Sequence, residues 1–205
     1  MTEDLLALLD GLIESIGSGD EVRKARDAYE ARTAKIHEDD PRYDQRAAAF
    51  LEWYVLERPL AREGVAPIVV ALRREAHPER RAAWRAWTAS HRSLFAIDAL
   101  TPGKVLLSDL VAGPVFEVEE RRKLPGVAPG DLLEARVVGF RGRVIFGRTF
   151  LYHPAEARSV IEARVARLRQ VGASRVDVVD ALAALRLKAD RYKHVAPGRV
   201  YAEER

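Results

Sequence analysis

The sequence predicts an α+β protein: a helical N-terminal subdomain, a small antiparallel β barrel or curled sheet of about five strands, and two C-terminal helices. Three observations carry this. Apolar residues recur at helical spacing up to about residue 92. From Ser93 the period shortens through SLFAIDAL, KVLLSDL and PVFEVEE. After His153-Pro154 helical spacing returns. The two periods differ because side chains repeat about every 3.6 residues on a helix and every two on a strand. The expected units are residues 1–92 (helical), 93–153 (β), 154–192 (closing helices) and 193–205 (a mobile tail).

The first helix carries Leu5, Leu9, Leu12 and Ile16 on one stripe and ends in a Gly-Ser-Gly break at 17–19. The second runs from Asp20 to His37, with Val22, Ala25, Tyr29 and Ile36 inward. Asp40-Pro41 reads as an N-cap followed by a proline at the first helical position. The helix to Glu57 then presents Tyr43, Ala47, Phe50, Leu51, Tyr54 and Val55 on a broad apolar face. Glu52 is expected to point away from that face, into water. Pro59 ends it. Two shorter helices are expected over Pro67 to Ala76 and Pro78 to His91, the second with Trp84 and Trp87 on one face.

In the β region, Thr101-Pro102-Gly103-Lys104 has type II turn chemistry. A loop, RRKLPGVAPG, leads into GDLLEARVVGFRGRVIFGRTFLYHP, a hairpin with its turn at Arg141-Gly142. That turn sets Phe140 opposite Arg143, Val137 opposite Phe146 and Ala135 opposite Arg148. Beyond it, Ser174 and Asp177 resemble a capping box for the last helix. The tail KHVAPGRVYAEER has no periodicity.

Composition excludes several chemistries. The chain has no cysteine, so disulfides, thiolate metal sites, iron–sulfur clusters and cysteine nucleophiles are out. No apolar run reaches the roughly 20 residues of a membrane span, and the acidic start lacks the basic region of a signal peptide. A cytoplasmic location is the resulting expectation. The net charge is +3 and unevenly spread: residues 1–115 hold 16 basic and 19 acidic side chains, residues 116–205 hold 18 and 12. The basic half points mildly towards anionic partners.

The order FLEWYVLERPL, SLFAIDALTPGKVLLSDLVAGPVFEV, GDLLEARVV resembles a group of uncharacterised bacterial proteins with a helical N-terminal part and a small β domain. Some of these carry a cysteine-rich SEC-C zinc motif, which is absent here. The resemblance implies the architecture and brings no catalytic residue.

On the hairpin's outer face or turn, Arg136, Arg141 and Arg143 stand beside Phe140 and Tyr152. Basic and aromatic residues on a small barrel suit single-stranded nucleic acid, through phosphate charge and base stacking, or a protein partner. The hairpin also resembles the strand–turn–strand core of OB-type RNA-binding domains. The plainer alternative is an ordinary solvated strand face. Arg148 is expected to face inward and to need an acid such as Glu117 or to snorkel past the rim. Arg164 sits within the apolar stripe of Ala157, Val160, Ile161, Leu168 and Val171. It is expected to pair with an acid or to lie at an interface.

HEDD, His37 to Asp40, could be read as metal ligands, but consecutive side chains diverge and Asp40 has a capping role. Asp109, Glu134 and Arg136 imitate a metal-dependent nuclease, with arginine where such sites need a lysine. No phosphate loop or nucleophile elbow is present. The sequence therefore favours a non-enzymatic cytoplasmic binding or adaptor protein acting on a protein partner, with no catalytic residue, cofactor, metal or membrane. Single-stranded nucleic-acid binding by the 131–152 hairpin is the alternative. A metal-dependent nuclease or other hydrolase is a distant third.

Overall fold

Pro67 and Pro78 each occupy the start of a helix, where the missing N–H is not needed and φ is already set. The structure is a computed structural model and describes residues 2–17, 19–121 and 126–203. Its N-terminal helices are α1 (Thr2–Glu14), α2 (Asp20–Thr33), α3 (Tyr43–Leu56), α4 (Pro67–Arg74) and α5 (Pro78–Thr88). Leu5, Leu9, Tyr29, Phe50, Trp53, Tyr54, Trp84 and Trp87 form their shared core. Trp87 Nε1 donates to the Leu5 carbonyl at 3.0 Å and fixes α5 to α1.

The strands are β1 (His91–Thr101), β2 (Lys104–Asp109), β3 (Val115–Glu119), β4 (Leu132–Phe140) and β5 (Arg143–Tyr152). They close as a barrel in the order β1-β2-β3-β5-β4, with β4 returning to β1. Four pairings are antiparallel. The fifth, Glu119 with Ile145, is parallel, so the barrel is mixed where the sequence suggested an antiparallel one. Phe95, Leu107, Val118, Val137 and Phe146 fill its interior.

The two predicted turns have the backbone they need. Gly103 has φ +80°, as the third position of a type II turn requires. Arg141 and Gly142 have φ +51° and +74°, the double positive of a two-residue hairpin loop. Phe140 then opposes Arg143 and Val137 opposes Phe146. Beyond that the register departs from expectation: Ala135 opposes Phe150, not Arg148. A bulge gives β5 two extra residues there, and Arg148 turns out of the barrel.

The C-terminal helices are α6 (Arg158–Gln170), α7 (Arg175–Arg191) and α8 (Pro197–Ala202). The Ser174 hydroxyl accepts from the Asp177 N–H at 3.2 Å and donates to its carboxylate at 2.6 Å, the predicted cap. Leu94, Ala96 and Leu132 on the barrel's outside pack against Ile161, Val178, Leu182 and Tyr201. The expected mobile tail is corrected by α8. Val200 and Tyr201 are buried, and His153 Nδ1 bonds the Tyr201 hydroxyl at 2.7 Å. Two apolar anchors suffice to dock one helical turn, although they are too few to show a period.

Two other expectations are corrected. Asp40 does not cap α3. Its carboxylate accepts from the His37 N–H at 2.7 Å and pairs with Arg191 of α7 at 2.7 Å. Glu52 is not in water but buried, at 2% exposure. The reason is that α3 is covered twice, by the other N-terminal helices on one side and by β5 on the other. No described helix is long and apolar enough to cross a membrane.

Candidate functional site

Cross-strand partners share a face of a sheet, and this sorts the charged residues of the barrel. Phe95 pairs with Asp109 and Leu133, and these face the interior. Leu94 pairs with Glu134 and Arg92 with Arg136, and these face outward, under the helices. The outward charges meet those of α2, α3 and α7 in a buried junction. Arg136 Nε donates to Glu52 at 2.7 Å, Nη1 to the Ser90 hydroxyl at 3.1 Å, and Nη2 to Glu57. Arg92 donates twice to Glu134, at 3.0 and 2.6 Å, and pairs with Asp180 at 3.0 Å. Arg32 of α2 joins Asp180 at 2.6 Å and Asp177 at 3.3 Å. Arg46 of α3 donates to the Thr33 and Ala183 carbonyls at 2.7 and 3.0 Å.

Gly147 belongs to this junction. A Cβ there would lie 3.3 Å from Arg136 Cβ and 3.4 Å from Glu52 Oε2. The glycine lets α3 approach the bulged strand closely enough for the Glu52–Arg136 pair.

Electrostatics follow burial. Burial raises Glu57, but the Arg136 guanidinium beside it wins and holds its carboxyl below the usual range. Burial pushes Glu134 above that range, against the pull of Arg92. Burial pushes the Tyr29 hydroxyl up to about 12. Removing one partner of such a pair typically costs about 3–5 kcal/mol, because the other charge stays in the dry interior. These charges hold the helices to the barrel.

The junction opens into a cleft of about 480 Å³ between α3, the end of α5, the start of β1, β4 and the first turn of α7. Arg32, Arg58, Arg92, Arg136 and Arg175 line it, with Glu57 and Asp177 as its acids. Four of the five arginines have carboxylates within 4.0 Å: Arg58 meets Glu21 at 3.6 Å, and the others have the partners above. Arg175 differs. Its guanidinium donates to the Arg92 carbonyl, and among the described residues it has no carboxylate within ion-pair distance. Half-buried, it is lowered from the ordinary arginine range by burial.

The hairpin residues do not assemble as expected. Arg136 is buried in the junction rather than displayed. Phe140 packs against the helical core, with the Arg141 guanidinium 5.2 Å from its ring centre. Arg141 also pairs with Glu79 at 3.2 Å, and Arg143 with Glu119 at 3.3 Å. Tyr152 packs against the barrel interior at the far end of β5. It stands nine residues from Arg143, roughly 30 Å along a strand. Arg148 is half-exposed and pairs with Asp10 of α1 at 3.1 Å, not with Glu117. Arg164 is buried, and Nη1 donates to the Tyr201 and Glu203 carbonyls at 3.1 and 2.7 Å, closing the end of α8.

Small five-stranded Greek-key barrels bind oligonucleotides on the face of their second and third strands. Here that face shows Leu106, Val115, Glu117 and Glu119, with Lys104 bonded to Glu117 at 2.6 Å. Its charge does not suit phosphate.

The nuclease pair is separated by the sheet itself, Asp109 inside and Glu134 outside. Asp109 accepts from the Ser93 hydroxyl at 2.7 Å and from the Val111 and Ala112 N–H groups at 2.8 and 2.9 Å. His91 Nε2 lies 2.6 Å from its other oxygen. Burial raises this carboxyl, but His91 and the other donors outweigh it and hold it low. It fastens the turn after β2. Among the described residues no three His, Asp or Glu side chains form a metal-holding group.

Sequence reasoning missed Arg92, Arg175 and Asp180. Asp180 carried a signal, standing between Val179 and Ala181 in the most apolar stretch of α7.

A family model described as a family of unknown function (DUF7986) matches residues 2–184. No curated protein and no solved structure matches.

Proposed function

We propose, for a chain that belongs to the family of unknown function DUF7986, a non-enzymatic binding role in which a partner protein docks across the arginine-lined cleft. It acts as a cytoplasmic adaptor. The observation that carries this is the contrast between Arg175 and its neighbours. Arg92 and Arg136 are consumed by buried carboxylates and serve the fold. Arg175 sits half-buried on the lining and is hydrogen-bonded only to a backbone carbonyl. A charge held partly out of water, with Asp109 and Glu57 acting on it only from beyond ion-pair distance, is a cost that an incoming acid relieves.

The test is capture from a native lysate by the immobilised full chain, with and without nuclease, against Arg175→Glu. The expected result is a protein retained after nuclease and lost from the variant. Capture that nuclease abolishes would put nucleic acid first. Equal capture by the variant would remove the cleft from the account.

A further inference from the structure

We infer that the occupant of the cleft is an extended acidic protein segment, seating a carboxylate on Arg175 with Arg58 and Arg32 beside it. This rests on the docking reading above and names the partner's chemistry. The lining is five arginines against Glu57 and Asp177. Glu52, Glu134 and Asp180 hold Arg136 and Arg92, and Asp180 and Asp177 hold Arg32 as well, so a ligand meets Arg175 first, with Arg58 and Arg32 beside it. Arg32 is exposed, and the Arg58 ion pair with Glu21 is loose at 3.6 Å.

Size and wall chemistry narrow the class. About 480 Å³ lies within the range of sites that take a few side chains rather than a domain face. Leu56, Pro59 and Val176 give apolar contact, and Thr88, Ser90 and Ser174 give hydroxyls. Single-stranded nucleic acid needs open aromatic faces for stacking. The aromatic residues of this cleft, Trp53 and Trp87, are buried at 7% and 1% exposure.

The probe is fluorescein-labelled octa-glutamate, read by anisotropy with the full chain at low salt and at about 150 mM, where the screening length is about 8 Å. Octa-glutamine and labelled oligothymidylate are the controls. Octa-glutamate is expected to bind and to weaken with salt, and octa-glutamine to stay free. Arg175→Gln should weaken binding about tenfold, equivalent to about 1.4 kcal/mol. Arg175→Lys should recover part of the loss, and a matching thermal transition shows that the variants are folded. Equal binding by Arg175→Gln, or tighter binding by oligothymidylate, overturns the inference. If octa-glutamate fails while lysate capture is still lost in Arg175→Glu, the acidic segment is wrong and the docking reading stands. If both fail, the docking reading falls as well.

Discussion

Replacing Glu52 by alanine separates a surface glutamate from a structural one. On a solvated helix face the change would shift stability by less than about 0.5 kcal/mol. In the structure the Glu52 and Arg136 side chains are 3% and 4% exposed and 2.7 Å apart. Removing the carboxylate leaves Arg136 with Ser90 and with Glu57, itself 20% exposed. Losing one partner of a buried pair costs about 3–5 kcal/mol, and the surviving partners place this case near the lower end, about 3 kcal/mol. For a domain of this size each kcal/mol moves the midpoint by about 2–4 °C, so the transition should fall by about 6–12 °C. Urea titration gives the same quantity through the midpoint at constant slope. The double variant Glu52→Leu with Arg136→Met should recover part of the loss, because it removes the two most buried charges of the three and leaves only Glu57, 20% exposed, without its arginine. A loss under about 1 kcal/mol, the size of an exposed pair, would refute the buried junction.

Phe50→Ala removes a buried ring of the helical core and should cost about 3–5 kcal/mol by the same titration; a loss under about 1 kcal/mol would reject the core assignment. Gly147→Ala should cost on the order of 1–3 kcal/mol by overpacking against Arg136 and Glu52, read as a lowered thermal midpoint. Burial holds His153 down at about 3 against an ordinary value of 6.5, so the unfolded chain binds the extra proton between those values. The stability His153 confers is whole above about pH 6.5 and falls with acid by up to about 1.4 kcal/mol per pH unit. Comparison with His153→Gln across that window should show a flatter profile for the variant, and parallel profiles would count against the buried neutral imidazole.

The hairpin turn was legible because Arg141-Gly142 lies between strands of clear alternation and the loop demands positive φ at both residues. The bulge was less so. Gly147 is its sequence mark, since an isolated glycine inside a strand signals a bulge or a close approach. Nothing in sequence fixes how many residues the bulge inserts, and Arg148 was misplaced on that account. Glu52 was misread for a different reason. A polar residue opposite an apolar stripe faces water only if nothing covers that side, and here β5 does. Arg136 was misread with it, as the other half of the same pair. The cleft was not legible at all. Arg92, Arg136 and Arg175 lie on three elements, and only the barrel's closure onto α3 and α7 brings them together.

On the proposed docking reading, Arg136 serves the fold and Arg175 serves a partner. That reading is tested most directly by measuring Arg136→Gln and Arg175→Gln side by side for urea midpoint and for partner capture. The account predicts that Arg136→Gln loses at least about 3 kcal/mol. It predicts that Arg175→Gln loses no more than about 1 kcal/mol, the worth of one hydrogen bond, and fails to capture the partner. An Arg175→Gln protein that captures its partner at the wild-type level, or that is destabilised as much as Arg136→Gln, would contradict it.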